Sequence, residues 1–269
     1  MQYIEPHIHM ACRTTDDFEW LAKTGCTTLV EPAFWAGYDR SGPASVYDYL
    51  RHLTEWEPKR AAWFGMAHYC WIGFNAKEAE NLAMADAVLP MLPEFLDRPT
   101  AVGIGEIGLN KNTRNEAATL VRLIELALSR RELMLFHTPH MADKYAGTRM
   151  ILDLLRADSR VEPERVCIDH CEEHTIRPAL EAGYWAGITM YPTTKATPER
   201  AADMVERYGP ERILVNSSAD WGPSRPTAVP DFILVMRRRG HPEEVIRKVV
   251  YDNPRAFLAG SAHFRAAGA

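Results

Sequence analysis

Two histidines stand two residues apart near the N-terminus, in Pro6-His7-Ile8-His9. On an extended strand, residues i and i+2 point to the same face, so both imidazoles converge. As cations they would repel, and as neutral buried rings they would lose hydration; a divalent ion relieves both problems. The same ligand chemistry recurs far along the chain: Glu106 in Gly105-Glu106-Ile107-Gly108-Leu109-Asn110, then His137, His170 and Asp220. Glu106 and Asp220 would be costly to bury without a cation. Two divalent ions would offset both carboxylates and leave a net positive site.

Residues so far apart meet only where a fold aligns equivalent strand ends. Eight short β-like runs can be picked out: Tyr3 to His9, Thr27 to Phe34, Ala61 to Tyr69, Ala101 to Leu109, Leu133 to His137, Val166 to His170, Trp185 to Met190, and Ile213 to Ser217. They recur about every 30 residues, one strand–helix unit each. Thr14-Thr15-Asp16-Asp17 caps a helix that stops at Gly25, and Asn112-Thr113 opens another through Leu120, Leu123, Ile124 and Leu128. Thr197-Pro198-Glu199 opens a helix ending near Gly209. Pro90 and Pro93 break the helix expected between Asn75 and Leu96, and His241-Pro242-Glu243-Glu244 opens a last helix towards Leu258. No repeat of fixed sequence and no linker divides the chain. The alternation predicts an α/β fold, a closed parallel (β/α)8 TIM barrel forming a single domain over 1–269. An open doubly wound sheet would want G-x-G-x-x-G after its first strand, and that is absent. In a parallel barrel the active site forms at the C-terminal strand ends. Those ends carry His7 and His9, Glu31, His68, Glu106, His137, His170 and Asp220.

The H-x-H of strand one, the G-E-I-G-L-N of strand four, the histidines ending strands five and six, and the Asp after strand eight resemble the TatD-like metal-dependent hydrolases of the amidohydrolase superfamily. Asp252-Asn253-Pro254-Arg255-Ala256-Phe257 is similar to that family's closing N-x-x-x-F helix element, so the resemblance covers nearly the whole chain. It implies a binuclear centre, with His7, His9 and Asp220 on one metal, His137 and His170 on the other, and Glu106 bridging. Four imidazoles and two carboxylates suit zinc or manganese better than calcium, with magnesium the alternative. The expected reaction is hydrolysis. Paired ions acidify a water, and Asp220 takes its proton and passes it to the leaving group. His68 and His140 would steady the oxyanion or donate a proton.

The surroundings of that centre depart from the family's nucleases. After the fifth-strand His those carry Ser-Arg; here His137-Thr138-Pro139-His140 lacks an Arg to hold phosphate. Cys171-Glu172-Glu173-His174 replaces Cys-Phe-Ser-Gly and brings negative charge towards the mouth. Ser217-Ser218-Ala219-Asp220-Trp221-Gly222 stands where they read Glu-Thr-Asp. The expected function is hydrolysis of a small-molecule ester, lactone, amide or phosphoester. The alternatives are a 3′–5′ exodeoxyribonuclease and a non-hydrolytic metal-dependent isomerase or lyase. His68, His140, Glu31, Trp35 and Trp221 are the substrate-binding candidates. Glu31 either binds substrate or pairs with an Arg from a nearby loop. Trp35 and Trp221 follow strand ends; they either line the mouth, favouring a planar or apolar substrate part, or pack between helices and barrel like Trp71 and Trp185.

Hydrophobic residues make up 46% and charged residues 25%, the balance of a soluble globular protein. A net charge of -5 argues against holding a DNA duplex mainly by phosphate contacts. No apolar stretch reaches the roughly 18 residues that span a bilayer, so no membrane partner is expected. The N-terminus shows no basic and apolar leader pattern. The 5 cysteines form no C-x-x-C pair. Both features point to reduced thiols in a cytoplasm.

Overall fold

The computed structural model describes residues 1–140 and 142–265. Its eight parallel strands pair in sequence order: β1 Tyr3–Glu5, β2 Cys26–Pro32, β3 Ala67–Ile72, β4 Ala101–Gly108, β5 Leu133–His137, β6 Val166–Ile168, β7 Trp185–Thr189 and β8 Ile213–Asn216. The helices are α1 Thr15–Lys23, α2 Pro43–Arg51, α3 Glu57–Ala62, α4 Leu82–Val88, α5 Leu92–Leu96, α6 Arg114–Arg130, α7 Lys144–Arg156, α8 Ile176–Glu181, α9 Pro198–Tyr208, α10 Ala228–Arg238, α11 Glu243–Arg247 and α12 Asn253–Leu258. The architecture is the expected (β/α)8 barrel. Its seam is joined just past the ends of β8 and β1. There Ser218 N–H donates to the His7 carbonyl (2.8 Å) and His9 N–H to that of Ala219 (2.9 Å).

Alternation along each strand sorts side chains between two cores. Ile4, Val30, Trp71, Leu135, Cys167 and Leu214 fill the barrel. Leu29, Cys70, Phe136, Ile168 and Val215 face the helix layer. The N-terminal end of the barrel is plugged by α12. Phe257 stacks on Trp71 (ring centroids 5.7 Å), and Asn253 donates from Nδ2 to the carbonyls of Pro210 (2.7 Å) and Ile213 (2.8 Å). Truncating Phe257 to Ala would open a cavity there and cost about 3–5 kcal/mol.

Local chemistry sets most helix boundaries. Thr113 Oγ1 accepts from Glu116 N–H, and the Glu116 carboxylate reaches back to the amides of Asn110 and Lys111 at the start of α6. Arg131, at φ 57, ends that helix in the left-handed region. Thr197 caps α9, Pro198 is its first residue and Gly209 follows its end. Three expectations need correction. Ala61 to Tyr69 is not one strand: Ala61 lies in α3, Gly65 turns the chain at φ 72, and β3 begins at Ala67. The strand expected from Tyr3 to His9 leaves its ladder at Glu5, because Pro6 has no N–H to continue it. The last helix is interrupted by a π turn, Lys248–Asp252, between α11 and α12.

Candidate metal centre

The C-terminal strand ends gather His7, His9, Glu106, His137 and His170, all buried. His7 Nε2 lies 3.0 Å from His9 Nε2, and His170 Nε2 lies 3.1 Å from His137 Nδ1. Glu106 Oε1 is 2.8 Å from His137 Nδ1, 2.7 Å from His170 Nε2 and 3.9 Å from His7 Nε2. Its other oxygen accepts from Asn75 Nδ2 (3.0 Å). The ligand atoms of His7, His9 and Glu106 lie within 4.8 Å of one another, and so do those of Glu106, His137 and His170; the two groups share the carboxylate.

Behind them stands Asp169, which sequence reasoning missed. His7 Nδ1 donates to Asp169 Oδ2 (2.5 Å), and Asn216 Nδ2 donates to both carboxylate oxygens (3.0 and 3.2 Å). Thr189 Oγ1 lies 2.6 Å from His170 Nδ1. Strict alternation would turn Asp169 and His170 to opposite faces. His170 instead adopts φ 57, so the backbone rotates and both side chains enter the barrel. Gly187 on β7 makes the room, since a Cβ there would sit 2.2 Å from Asp169 Oδ1.

The charges do not balance. Burial would raise the Glu106 carboxyl, but the neighbouring His137 and His170 imidazoles hold it well below the usual carboxylate range. Burial likewise opposes ionisation of Asp169, and His170 and His7 outweigh it. Desolvation pushes His9, His137 and His170 down, which favours the neutral ring over the cation. Ionised carboxylates among neutral imidazoles call for a cation. His9 Nδ1 and His137 Nε2 are also buried without a hydrogen-bond partner. His7 turns Nδ1 to Asp169 and Nε2 to the His9 ring. This donor set fits divalent metal ions, held by neutral imidazole nitrogen and carboxylate oxygen.

Asp220 stands apart from the five. Its Oδ1 accepts from Tyr191 OH (2.9 Å) and the Gly222 amide (2.6 Å), and its carbonyl from Arg13 Nη1 (2.7 Å). The side chain beyond β8 that meets His7 is Ser218, whose Oγ lies 3.4 Å from His7 Nε2.

Of the substrate-binding candidates, Trp35 and Trp221 border a groove of about 540 Å³ with Phe34 and Tyr49. Phe34 stacks on His9 (3.8 Å between centroids) and meets Trp221 (4.7 Å), so an aromatic wall runs outward from the centre. His140 is half-buried beside His137, and desolvation lowers its pKa to about 3. Glu31 and His68 turn to the helix side, because Val30 and Tyr69 take the barrel interior. They bond to each other, His68 Nε2 to Glu31 Oε2 at 3.0 Å, rather than to an Arg. Glu172 and Glu173 do not make the mouth negative. Glu172 lies 3.8 Å from Lys144 Nζ, and Glu173 takes both Nε and Nη2 of Arg200 (2.7 and 2.6 Å). Cys171 points away, with Sγ donating to the Ile168 carbonyl.

A family model described as TatD related DNase matches residues 39–259. An uncharacterized metal-dependent hydrolase of Methanocaldococcus jannaschii is 29% identical over 258 residues, spanning 94% of this chain and 98% of its own. Among solved structures, a TatD-like protein from Archaeoglobus fulgidus is similar over 96% of this chain and 100% of its own, with a TM-score of 0.78 and 26% identity. An organophosphorus hydrolase from Deinococcus radiodurans, at 16% identity and a TM-score of 0.63 over 95% and 92% of the two chains, shares the fold. Among the described residues, no helix is long and apolar enough to cross a membrane.

Proposed function

The chain belongs to the TatD-related DNase family, and from that premise we propose that it is a metal-dependent hydrolase of small-molecule ester, lactone, amide or phosphoester bonds. The observation that carries this reading is the pair of buried ligand groups sharing Glu106, in which His7 Nε2 faces His9 Nε2 and His170 Nε2 faces His137 Nδ1. His7, His9 and Glu106 would hold one ion, and Glu106, His137 and His170 a second, with zinc or manganese favoured by the nitrogen-rich set and magnesium the alternative. Such ions polarise a carbonyl or phosphoryl oxygen and make water acidic enough to attack near neutral pH.

The protein's own groups supply orientation and proton transfer. Asp169 fixes the His7 tautomer, and Thr189 and Asn75 fix His170 and Glu106. Asp220 is the proton acceptor at the mouth. Tyr191 and the Gly222 amide occupy its Oδ1, which leaves Oδ2 to take a proton from the attacking water and return it to the leaving group.

An exodeoxyribonuclease is the second reading, favoured by Phe34, Trp35 and Trp221, on which bases could stack. Against it, three arginines of the rim are engaged: Arg13 with Asp17, Arg40 with Glu78 and Arg200 with Glu173. A strand tracked by its phosphates needs an extended basic path.

Chelation with EDTA followed by metal add-back tests the first claim, on a panel of aryl esters, lactones and phosphoesters. Activity should vanish and return; full activity in metal-free protein rejects the reading. Progressive shortening of a labelled oligonucleotide, without turnover of the panel, transfers it to the nuclease. In the same assay Asp220→Asn should lose turnover by about 100-fold or more with little change in KM. Unchanged turnover removes that carboxylate from the chemistry.

A further inference from the structure

Two lysines at the mouth have no part in the reading above, although both act electrostatically on His137. Lys77 follows β3 and Lys195 follows β7, strands on opposite sides of the eight-strand ring. Each is pinned close to a proposed ligand. Lys77 N–H donates to Asn75 Oδ1 (3.0 Å), and Asn75 in turn holds Glu106. The Lys195 turn is closed by its own N–H on the Tyr191 carbonyl (3.2 Å) and by Ala196 N–H on that of Thr189 (3.1 Å), the residue that meets His170. Arg200 Nη1 also holds the Lys195 carbonyl (2.8 Å). Their ammonium groups rest on aromatic faces, Lys77 Nζ 4.6 Å from the Trp35 ring centre and Lys195 Nζ 4.7 Å from that of Tyr191. Among the described residues neither forms an ion pair, in contrast to Arg13, Arg40 and Arg200.

Resting on the hydrolase reading, we propose that the substrate is a small organic anion. A carboxylate or phosphate on it is gripped between Lys77 and Lys195, while a planar apolar part lies along Trp35 and Trp221. The charge distribution supports this. Burial depresses Lys77, and it pushes Lys195 down to about 8, with Glu106 and Asp220 acting on both in the opposite sense. Partly desolvated ammoniums without counter-ions are restored by an anion entering between them. Lys77 and Lys195 follow opposite strands of one barrel and both act on Glu106 and Asp220, a placement that fits a compact anion. Trp35 Nε1, buried and without a partner, adds a donor on the same wall.

Isothermal titration of the metal-loaded protein with phenylphosphonate, benzoate and neutral benzyl alcohol tests the grip independently of turnover. Lys77→Met and Lys195→Met should each weaken the anionic probes about tenfold and leave benzyl alcohol and metal content unchanged. Lys195→Arg should restore most of the affinity. A larger loss for phenylphosphonate assigns phosphate, and a larger loss for benzoate assigns carboxylate. Anion affinity unchanged in both Met variants overturns the proposal, as does an equal loss for benzyl alcohol or affinity that climbs with oligonucleotide length. If metal-loaded wild type turns over no ester or phosphoester yet shows the lysine-dependent binding, the hydrolase reading fails and the anion grip stands.

Discussion

Two buried clusters of histidine and glutamate lie back to back across the same barrel wall, and they solve the burial of charge in opposite ways. Inside, His7, His9, Glu106, His137 and His170 face one another, and among the described residues no Lys or Arg bonds to the Glu106 carboxylate. Outside, Glu57 takes two bonds from Arg60 Nη1 (2.8 and 3.0 Å) and one from His52 (2.7 Å). Next to it, Glu31 takes the Ala11 amide (2.7 Å) and His68 (3.0 Å). Arg60 also holds the Arg13 carbonyl (3.0 Å), so the outer cluster braces the turn that follows His9. The same residue types meet a bonded Arg outside and, among the described residues, none inside, although His68 Nδ1 of the outer cluster also lacks a partner.

Breaking the inner cluster should have the largest effect. Glu106→Gln removes the carboxylate shared by both ligand groups, so activity should fall by about 1000-fold or more and bound metal, measured by elemental analysis, should drop. Removing a buried charge should also leave the metal-free variant no less stable than metal-free wild type. A variant that keeps full metal content would undo the contrast between the clusters. Breaking the outer cluster should act on stability instead. Arg60→Met strands Glu57 in the helix layer and should cost about 3 kcal/mol by urea unfolding. The folded fraction should keep its metal. Loss of metal without loss of stability would show that the outer network serves the site directly.

Much of the barrel was legible because alternating apolar strands and capped helices are local signals, as at Thr113 and Thr197. The strand ends could be read for His137, which closes an apolar run, and for His170, two residues past the run Val166-Cys167-Ile168. Asp169 was hidden by the alternation rule itself; only the left-handed turn at His170 brings it inside. Glu31 and His68 sit close to strand ends as expected, but Val30 and Tyr69 claim the interior and leave them the other face. Lys77 and Lys195 lie in loops, where no periodicity says which way a side chain points. Asp220 could be read as an acid beyond β8, while its bond to Tyr191 depends on how two loops meet.

The smallest effect expected separates the clusters by pH. Burial, and then the nearby Glu57, raises the Glu31 carboxyl well above its ordinary range. Burial lowers His68 to about 4. Both shifts favour an un-ionised acid that donates from Oε2 to a neutral ring. In the unfolded chain Glu31 ionises near 4.5. Above that value the unfolded state releases a proton that the folded state retains, so stability falls as pH rises. For His68 the sign reverses: below 6.5 the unfolded ring takes up a proton that the folded ring refuses until about 4, so stability falls as pH drops. Glu31→Gln reproduces the protonated acid, with an amide N–H for His68 and a carbonyl for Ala11. It should flatten the alkaline limb of the unfolding midpoint, keep the acid limb, and exceed wild type by about 1 kcal/mol near pH 8. Parallel profiles for the two proteins would mean that Glu31 is charged in the fold, and the outer cluster would then hold the same unmet demand for a cation as the inner one.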